Sequence, residues 1–272
     1  MSEADPLVRV RLDVSYDGTE FSGWAAQRGR RTVQQTLEDA LATILRMPKP
    51  SLTVAGRTDA GVHAIGQVAH LDVPTTTWVD ESGQLIRRLA GVLPADLRVA
   101  AARRVPLDFD ARFSALWRRY VYCITDREAG VEPLQRMFVL RWPRRLDAAA
   151  MHDAAEVLVG LHDFVAFCKW RDGSSTIRAV ERFDVERTDD LITCTVQADA
   201  FCHSMVRSLV GALIAVGEGR RPVEWPTSLL QRTSRSDAVG VVPAHGLTLV
   251  EVGYPPDVDL AARVEQTRAK RS

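Results

Sequence analysis

Strand, helix, strand, strand, helix, strand is the order of local patterns in the first part of the chain, and it then recurs; few folds accommodate it. Val8, Val10, Leu12, Val14 and Tyr16 alternate with Arg9, Arg11, Asp13 and Ser15, the mark of a strand with one buried face. Asp17-Gly18 signals a turn. Thr32 is placed to cap a helix, with Gln35 completing a capping box, and Val33, Leu37, Leu41, Ile44 and Leu45 form its apolar stripe. Strands are expected near 52–55, 67–73 and 97–105, the last preceded by a helix on Leu85, Ile86, Leu89 and Val92. The second series begins with a strand over 118–125 and a helix capped by Asp147 that ends near Gly160. A hairpin follows, 180–187 and 191–198 around Asp189-Asp190, then an almost wholly apolar helix over 204–216 and a strand over 247–252. The pattern predicts an α+β fold of two ferredoxin-like βαββαβ halves, 7–108 and 109–256, with a flexible tail over 257–272. Their mainly antiparallel sheets are expected to join into one extended sheet with helices on one face, leaving the other for a large ligand.

Composition narrows the class without naming it. With 46% apolar and 26% charged positions, the chain is that of an ordinary globular protein. No apolar run reaches the roughly 18 residues that cross a bilayer. The acidic start, Met1-Ser2-Glu3-Ala4-Asp5-Pro6, is unlike a signal peptide, so a cytoplasmic location without membrane attachment is expected. Cys123, Cys168, Cys194 and Cys202 form no C-x-x-C pair and read as reduced structural thiols, with no metal site. Net charge is zero, yet only Lys49, Lys169 and Lys270 are lysines among 35 basic residues. Arginine suits phosphates and base stacking, but the same bias follows from genomic base composition, so charge decides nothing.

The chemistry is concentrated in Ala55-Gly56-Arg57-Thr58-Asp59-Ala60-Gly61-Val62-His63, where a strand end meets two glycines with an arginine and an acid between them. Glycines permit positive φ and close backbone approach. An aspartate there either faces a pocket, with Arg57 helping to keep it ionised, or bonds its own turn. Arg207 lies in a helix with almost no polar face. Its guanidinium either has an anionic partner or sits at the helix start and reaches water. Tyr120 and Tyr122 share a strand face and read equally as half-buried core aromatics. Trp24 either stacks on RNA or packs in the core.

The long block Gly56 to Ala64, followed by Gly66-Gln67-Val68, resembles the signature of the tRNA pseudouridine synthase A (TruA) family. The likeness continues in Tyr16-Asp17-Gly18-Thr19, Phe21, Gly23-Trp24, Thr32-Val33-Gln34 and Leu37-Glu38. It resumes in Phe109-Asp110-Ala111-Arg112-Phe113-Ser114-Ala115, Tyr120 and Tyr122, and Gly160-Leu161-His162-Asp163-Phe164. Further matches are Phe201 to Arg207, Val210-Gly211, Pro243 and Gly246-Leu247. Two departures are visible: Trp24-Ala25-Ala26-Gln27 replaces the more usual Trp-Gln-x-Gln, and Ser204 stands where a second histidine is common. They touch fine detail of RNA contact.

The resemblance implies a cofactor-free and metal-free isomerase, in which uracil is detached from ribose and rejoined through carbon. It implies uridines 38, 39 and 40 of the tRNA anticodon arm as substrate, Asp59 as nucleophile, Tyr120 as the active-site tyrosine and Arg207 as partner of the aspartate. Leu247 would pack against the target base, while Arg57, Arg112, His63 and His203 would touch RNA or order the pocket, the histidines equally serving as structural hydrogen-bonders. A homodimer is implied as well. Two other readings compete. One is a non-catalytic RNA-binding protein of two sheet modules, although the aromatic RNP signature is missing; the other is a hydrolase using the same acid on a nucleoside.

Overall fold

In a computed structural model the structure describes residues 5–48, 50–78, 82–169 and 175–268. The chain forms β1 (Leu7–Tyr16), α1 (Val33–Leu45), β2 (Thr53–Val54), β3 (His63–Pro74), α2 (Ser82–Val92) and β4 (Leu97–Val105). There follow β5 (Trp117–Thr125), β6 (Leu140–Arg141), α3 (Ala148–Glu156), β7 (Gly160–Asp163), β8 (Ile177–Thr188) and β9 (Leu191–Ala198). The last elements are α4 (Met205–Gly217), α5 (Trp225–Leu229), β10 (Leu247–Gly253) and α6 (Leu260–Arg268). This is the α+β class, built on a large and mostly antiparallel sheet.

Two compact units emerge. Among the described residues, those up to Leu116 form the first together with 250–268; those from Trp117 to Leu249 form the second. The sequence pattern placed the break near 108 and kept the last strand in the second half, whereas β10 begins in the second unit and ends in the first.

In the first unit the strand order is β4-β1-β3-β10, with β2 also on β3. β1 pairs antiparallel with both β3 and β4. Val8, Val10, Leu12, Val14 and Tyr16 are all buried, as the alternation predicts, and α1 buries Val33, Leu37, Ala40, Leu41 and Ile44. Thr32 caps α1, its side chain accepting from the Gln35 N–H. The Gln35 side chain donates to Asp39 instead of turning back, so only half of the expected capping box forms. Residues 260–268, read as tail, fold as α6: Leu260 is buried and Arg263 donates to the Ala115 carbonyl. Residues 269–272 lie outside the described residues.

In the second unit the order is β10-β5-β9-β8-β7, with β6 parallel to β5 and the β5–β9, β8–β9 and β7–β8 pairs antiparallel. Asp189 takes φ 53° at the β8–β9 turn. α3 packs on β8 and on α4, and α4 buries eleven of its thirteen residues. Asp126 ties these pieces together: it accepts from Arg187, Arg145 and the Leu146 N–H. No helix among the described residues is long and apolar enough to cross a membrane.

Candidate functional site

The Gly56–Val62 loop is held from both ends. At its start, the Ala55 N–H donates to the Val68 carbonyl (2.8 Å) and the Gln67 side-chain amide donates to the Gly56 carbonyl (2.8 Å). At its end, the Val62 N–H donates to the Asp59 carbonyl (3.2 Å), a tight turn that Gly61 permits with φ 77°. The segment after β1 closes over the loop. Trp24 N–H donates to the Thr58 carbonyl (3.1 Å) and Gly61 N–H to that of Phe21 (3.3 Å). A Cβ at Gly18 would lie 2.0 Å from the Val62 carbonyl oxygen, so only glycine lets the two segments meet. Asp59 sits half-buried on this frame, with Arg57 exposed and Thr58 buried beside it.

Beneath the loop runs a buried polar chain. The Tyr16 hydroxyl lies 2.8 Å from Thr58 Oγ1 and 3.3 Å from Gln67 Nε2. Gln67 is fully enclosed, and its Oε1 accepts from the Val68 N–H. Burial pushes the Tyr16 phenol up to about 12, against the opposing pull of its bonds to Thr58 and Gln67, so it stays neutral at any working pH.

His63, also buried, contributes to the frame through its ring. Its Nδ1 accepts from the Gly18 N–H (3.0 Å) and lies 3.1 Å from Asp17 Oδ1. One nitrogen cannot accept from the amide and donate to the carboxylate together. The acceptor role fits better, because that same Asp17 oxygen already receives the Thr19 N–H and hydroxyl. Burial raises the Asp17 carboxyl, but the bonds from the Thr19 hydroxyl and N–H oppose it, and the group lies below its ordinary value.

Arg112 belongs to the same unit. Its loop is closed by Asp110, whose carboxylate accepts the Arg112 and Phe113 N–H groups, and the exposed guanidinium lies over the Phe113 ring at 5.1 Å. Buried His70 supports this loop by accepting from the Ala111 N–H (3.0 Å).

The second unit carries the remaining residues singled out in the sequence. Tyr120 is buried on β5 and meets Phe201 edge-on, ring centroids 5.2 Å apart. Tyr122, on the same strand face, is fully buried and donates to the Pro243 carbonyl (2.8 Å), while Gly246 leaves room for its ring. That makes Tyr122 a core residue. Leu247 is buried at the start of β10. Arg207 occupies the first turn of α4, half-buried, and its Nε donates to the Val242 carbonyl (2.7 Å). The Val242 N–H returns a bond to the Arg207 carbonyl (3.3 Å), so the 242 segment grips this turn. His203 precedes it, half-buried, its carbonyl accepting from the Lys169 N–H.

Asp59, Arg57, His63 and Arg112 therefore belong to the first unit, and Tyr120, His203, Arg207 and Leu247 to the second. Trp24 is buried, which decides its two sequence readings in favour of packing. Cys168 and Cys202, read as separate thiols, are neighbours in the fold with Cα atoms 5.7 Å apart, within disulfide reach, while Cys123 and Cys194 are free. A separation of thirty-four positions hides a neighbourhood that only the fold creates. The polar support under the loop was not singled out either. Its signal was Gln67, a carboxamide between buried Val68 and the signature glycines. No group of three or more His, Cys, Asp or Glu among the described residues is arranged to hold a metal ion.

A family model described as tRNA pseudouridine synthase matches residues 14–114 and 154–255. A protein of Frankia casuarinae described as tRNA pseudouridine synthase A is 59% identical over 98% of this chain and 97% of its own length. Its counterpart in Streptomyces avermitilis is 57% identical over 98% of this chain and 95% of its own. Among solved structures, the archaeal box H/ACA sRNP Nop10-Cbf5 complex aligns with TM-score 0.34 and 12% identity over 76% of this chain and 44% of that one, too weak a likeness to carry an argument.

Proposed function

The chain belongs to the tRNA pseudouridine synthase family, isomerases that act on tRNA, and from that premise we propose that it converts uridines 38, 39 and 40 of the anticodon arm to pseudouridine with Asp59 as nucleophile. The observation that carries this reading is the Asp59 loop itself, a carboxylate presented on a turn pinned at both ends. The reaction breaks the bond from ribose C1′ to uracil N1 and forms one from C1′ to C5, with the C5 hydrogen leaving as a proton and N1 taking one up. A carboxylate can stabilise the separated state covalently.

The target base must leave its stack, which costs about a few kcal/mol and is offset by stacking and phosphate contacts. Tyr120 stacks on the extruded uracil and Leu247 packs against it. Arg207 completes the catalytic set. Arg57 and Arg112, both exposed, take RNA phosphates, and His203 touches the RNA or orders the pocket. His63 serves the pocket indirectly, because its Nδ1 is engaged by Gly18. The enzyme acts as a homodimer in the cytoplasm, the second copy extending the surface that a long RNA needs.

Asp59→Asn tests the reading with minimal change of shape. The variant should bind tRNA as the parent does and release no tritium from tRNA labelled at uracil C5. Undiminished release would remove Asp59 from the mechanism. Free uracil among the parent's products would indicate a hydrolase.

A further inference from the structure

We propose that the buried chain Gln67–Tyr16–Thr58 is a positioning device for the reaction, fixing the backbone from which the Asp59 carboxylate projects and so setting kcat and not tRNA affinity. The inference rests on Asp59 being the nucleophile. All three side chains are buried, so they act through Asp59.

Geometry fixes the direction of the chain. A carboxamide has two N–H donors; those of Gln67 go to the Gly56 carbonyl and to the Tyr16 hydroxyl. Having accepted one hydrogen, the phenol would bury its own unsatisfied unless it donated, and Thr58 Oγ1 at 2.8 Å is the acceptor that the structure supplies. Gln67 Oε1 is taken by the Val68 N–H. Every group of Gln67 and Tyr16 is thus committed, in a place where their exposures are 0% and 5%. Apolar residues of the same shape would fill this space with little loss of stability. Polar ones specify one arrangement, because a shifted loop leaves buried donors unpaired.

The points being fixed bracket the nucleophile's approach. Gly56 is held through its carbonyl, and Thr58 through both its hydroxyl and its carbonyl, the latter by the Trp24 N–H. Asp59 is the next residue. With Thr58 clamped from two sides and the Val62 N–H bonded to the Asp59 carbonyl, little of this backbone is free to rotate. Displacement of a reacting group by about 1 Å costs on the order of a hundredfold in rate.

The test uses the full-length protein with C5-tritiated tRNA. Tyr16→Phe deletes one hydroxyl and keeps the ring; Thr58→Val keeps the shape and deletes the acceptor; Thr58→Ser keeps the acceptor. The expected result is a fall in kcat of roughly tenfold or more for Tyr16→Phe and Thr58→Val, with KM and tRNA binding within about twofold of the parent. Thr58→Ser should restore kcat to within about threefold, and the double variant should be no slower than the slower single, since both remove one shared bond. The inference is overturned if both deletions keep kcat within about twofold, or if the loss falls on KM. Should Thr58→Val fail to fold, Tyr16→Phe alone decides by the same split. Asp59→Asn run in parallel separates the two ideas: its activity would sink the nucleophile, whereas an inactive Asp59→Asn beside fully active deletions would sink only the positioning role.

Discussion

Gly18 shows how little freedom a single position retains beside the Asp59 loop. A methyl group there would meet the Val62 carbonyl oxygen at 2.0 Å, and the atom in the way is backbone, which cannot swing aside as a side chain can. Gly18→Ala should therefore push the turn that carries Asp59. Tritium release should fall by roughly tenfold or more while the protein remains folded by circular dichroism, since a full displacement of about 1 Å costs on the order of a hundredfold in rate. Full activity in this variant would mean that the turn has slack the structure does not show. Some placements were legible in the letters and others were not. Asp59 stood out because glycines flank it, but the bond between Tyr16 and Thr58 spans forty-two positions and exists only after β1 and the loop are brought together. Trp24 and Tyr122 read equally as core or contact; burial decided both.

Among the elements, the patterned ones were legible and the short ones were not. β1 and β9 alternate strictly, and α1 carries a clear stripe, so side-chain period alone finds them. β6 has two residues, exists by pairing Leu140 and Arg141 with Ile124 and Thr125, and has no period to read. β3 begins at His63, earlier than its apolar run suggests, because β1 shifts register between Val14 and Tyr16 and reaches Ala64. Where elements of the second unit converge, Asp126 makes a testable claim about pH. Burial alone would raise its carboxyl, but hydrogen bonds from Arg187 and the Leu146 N–H and the charges of Arg187 and Arg145 outweigh this and lower it to about 2. The fall from the ordinary 3.8 corresponds to about 2 kcal/mol of stability. Since the folded value lies below the unfolded one, this contribution is fully present above about pH 4 and is lost as pH falls through 2. Asp126→Asn should melt earlier at neutral pH by an amount corresponding to about 2 kcal/mol, with the gap from the parent closing between pH 4 and 2. A gap that persists unchanged at pH 2 would assign the effect to packing.

For the whole molecule, the repeated element order made the fold class readable, since two series of strand and helix leave few alternatives. The division was less so: β10 looks like the end of the second series, yet its latter residues belong to the first unit, a consequence of pairing that spacing does not encode. The residues proposed to act are divided between the units, the nucleophile on one and Tyr120, Arg207 and Leu247 on the other. The most direct measurement is a pseudouridine map of tRNA from cells lacking this protein, complemented with the parent or with Asp59→Asn. Pseudouridine should vanish from positions 38, 39 and 40, return with the parent and stay absent with the variant. Unchanged modification at those positions without the protein, or its return with Asp59→Asn, would contradict the account.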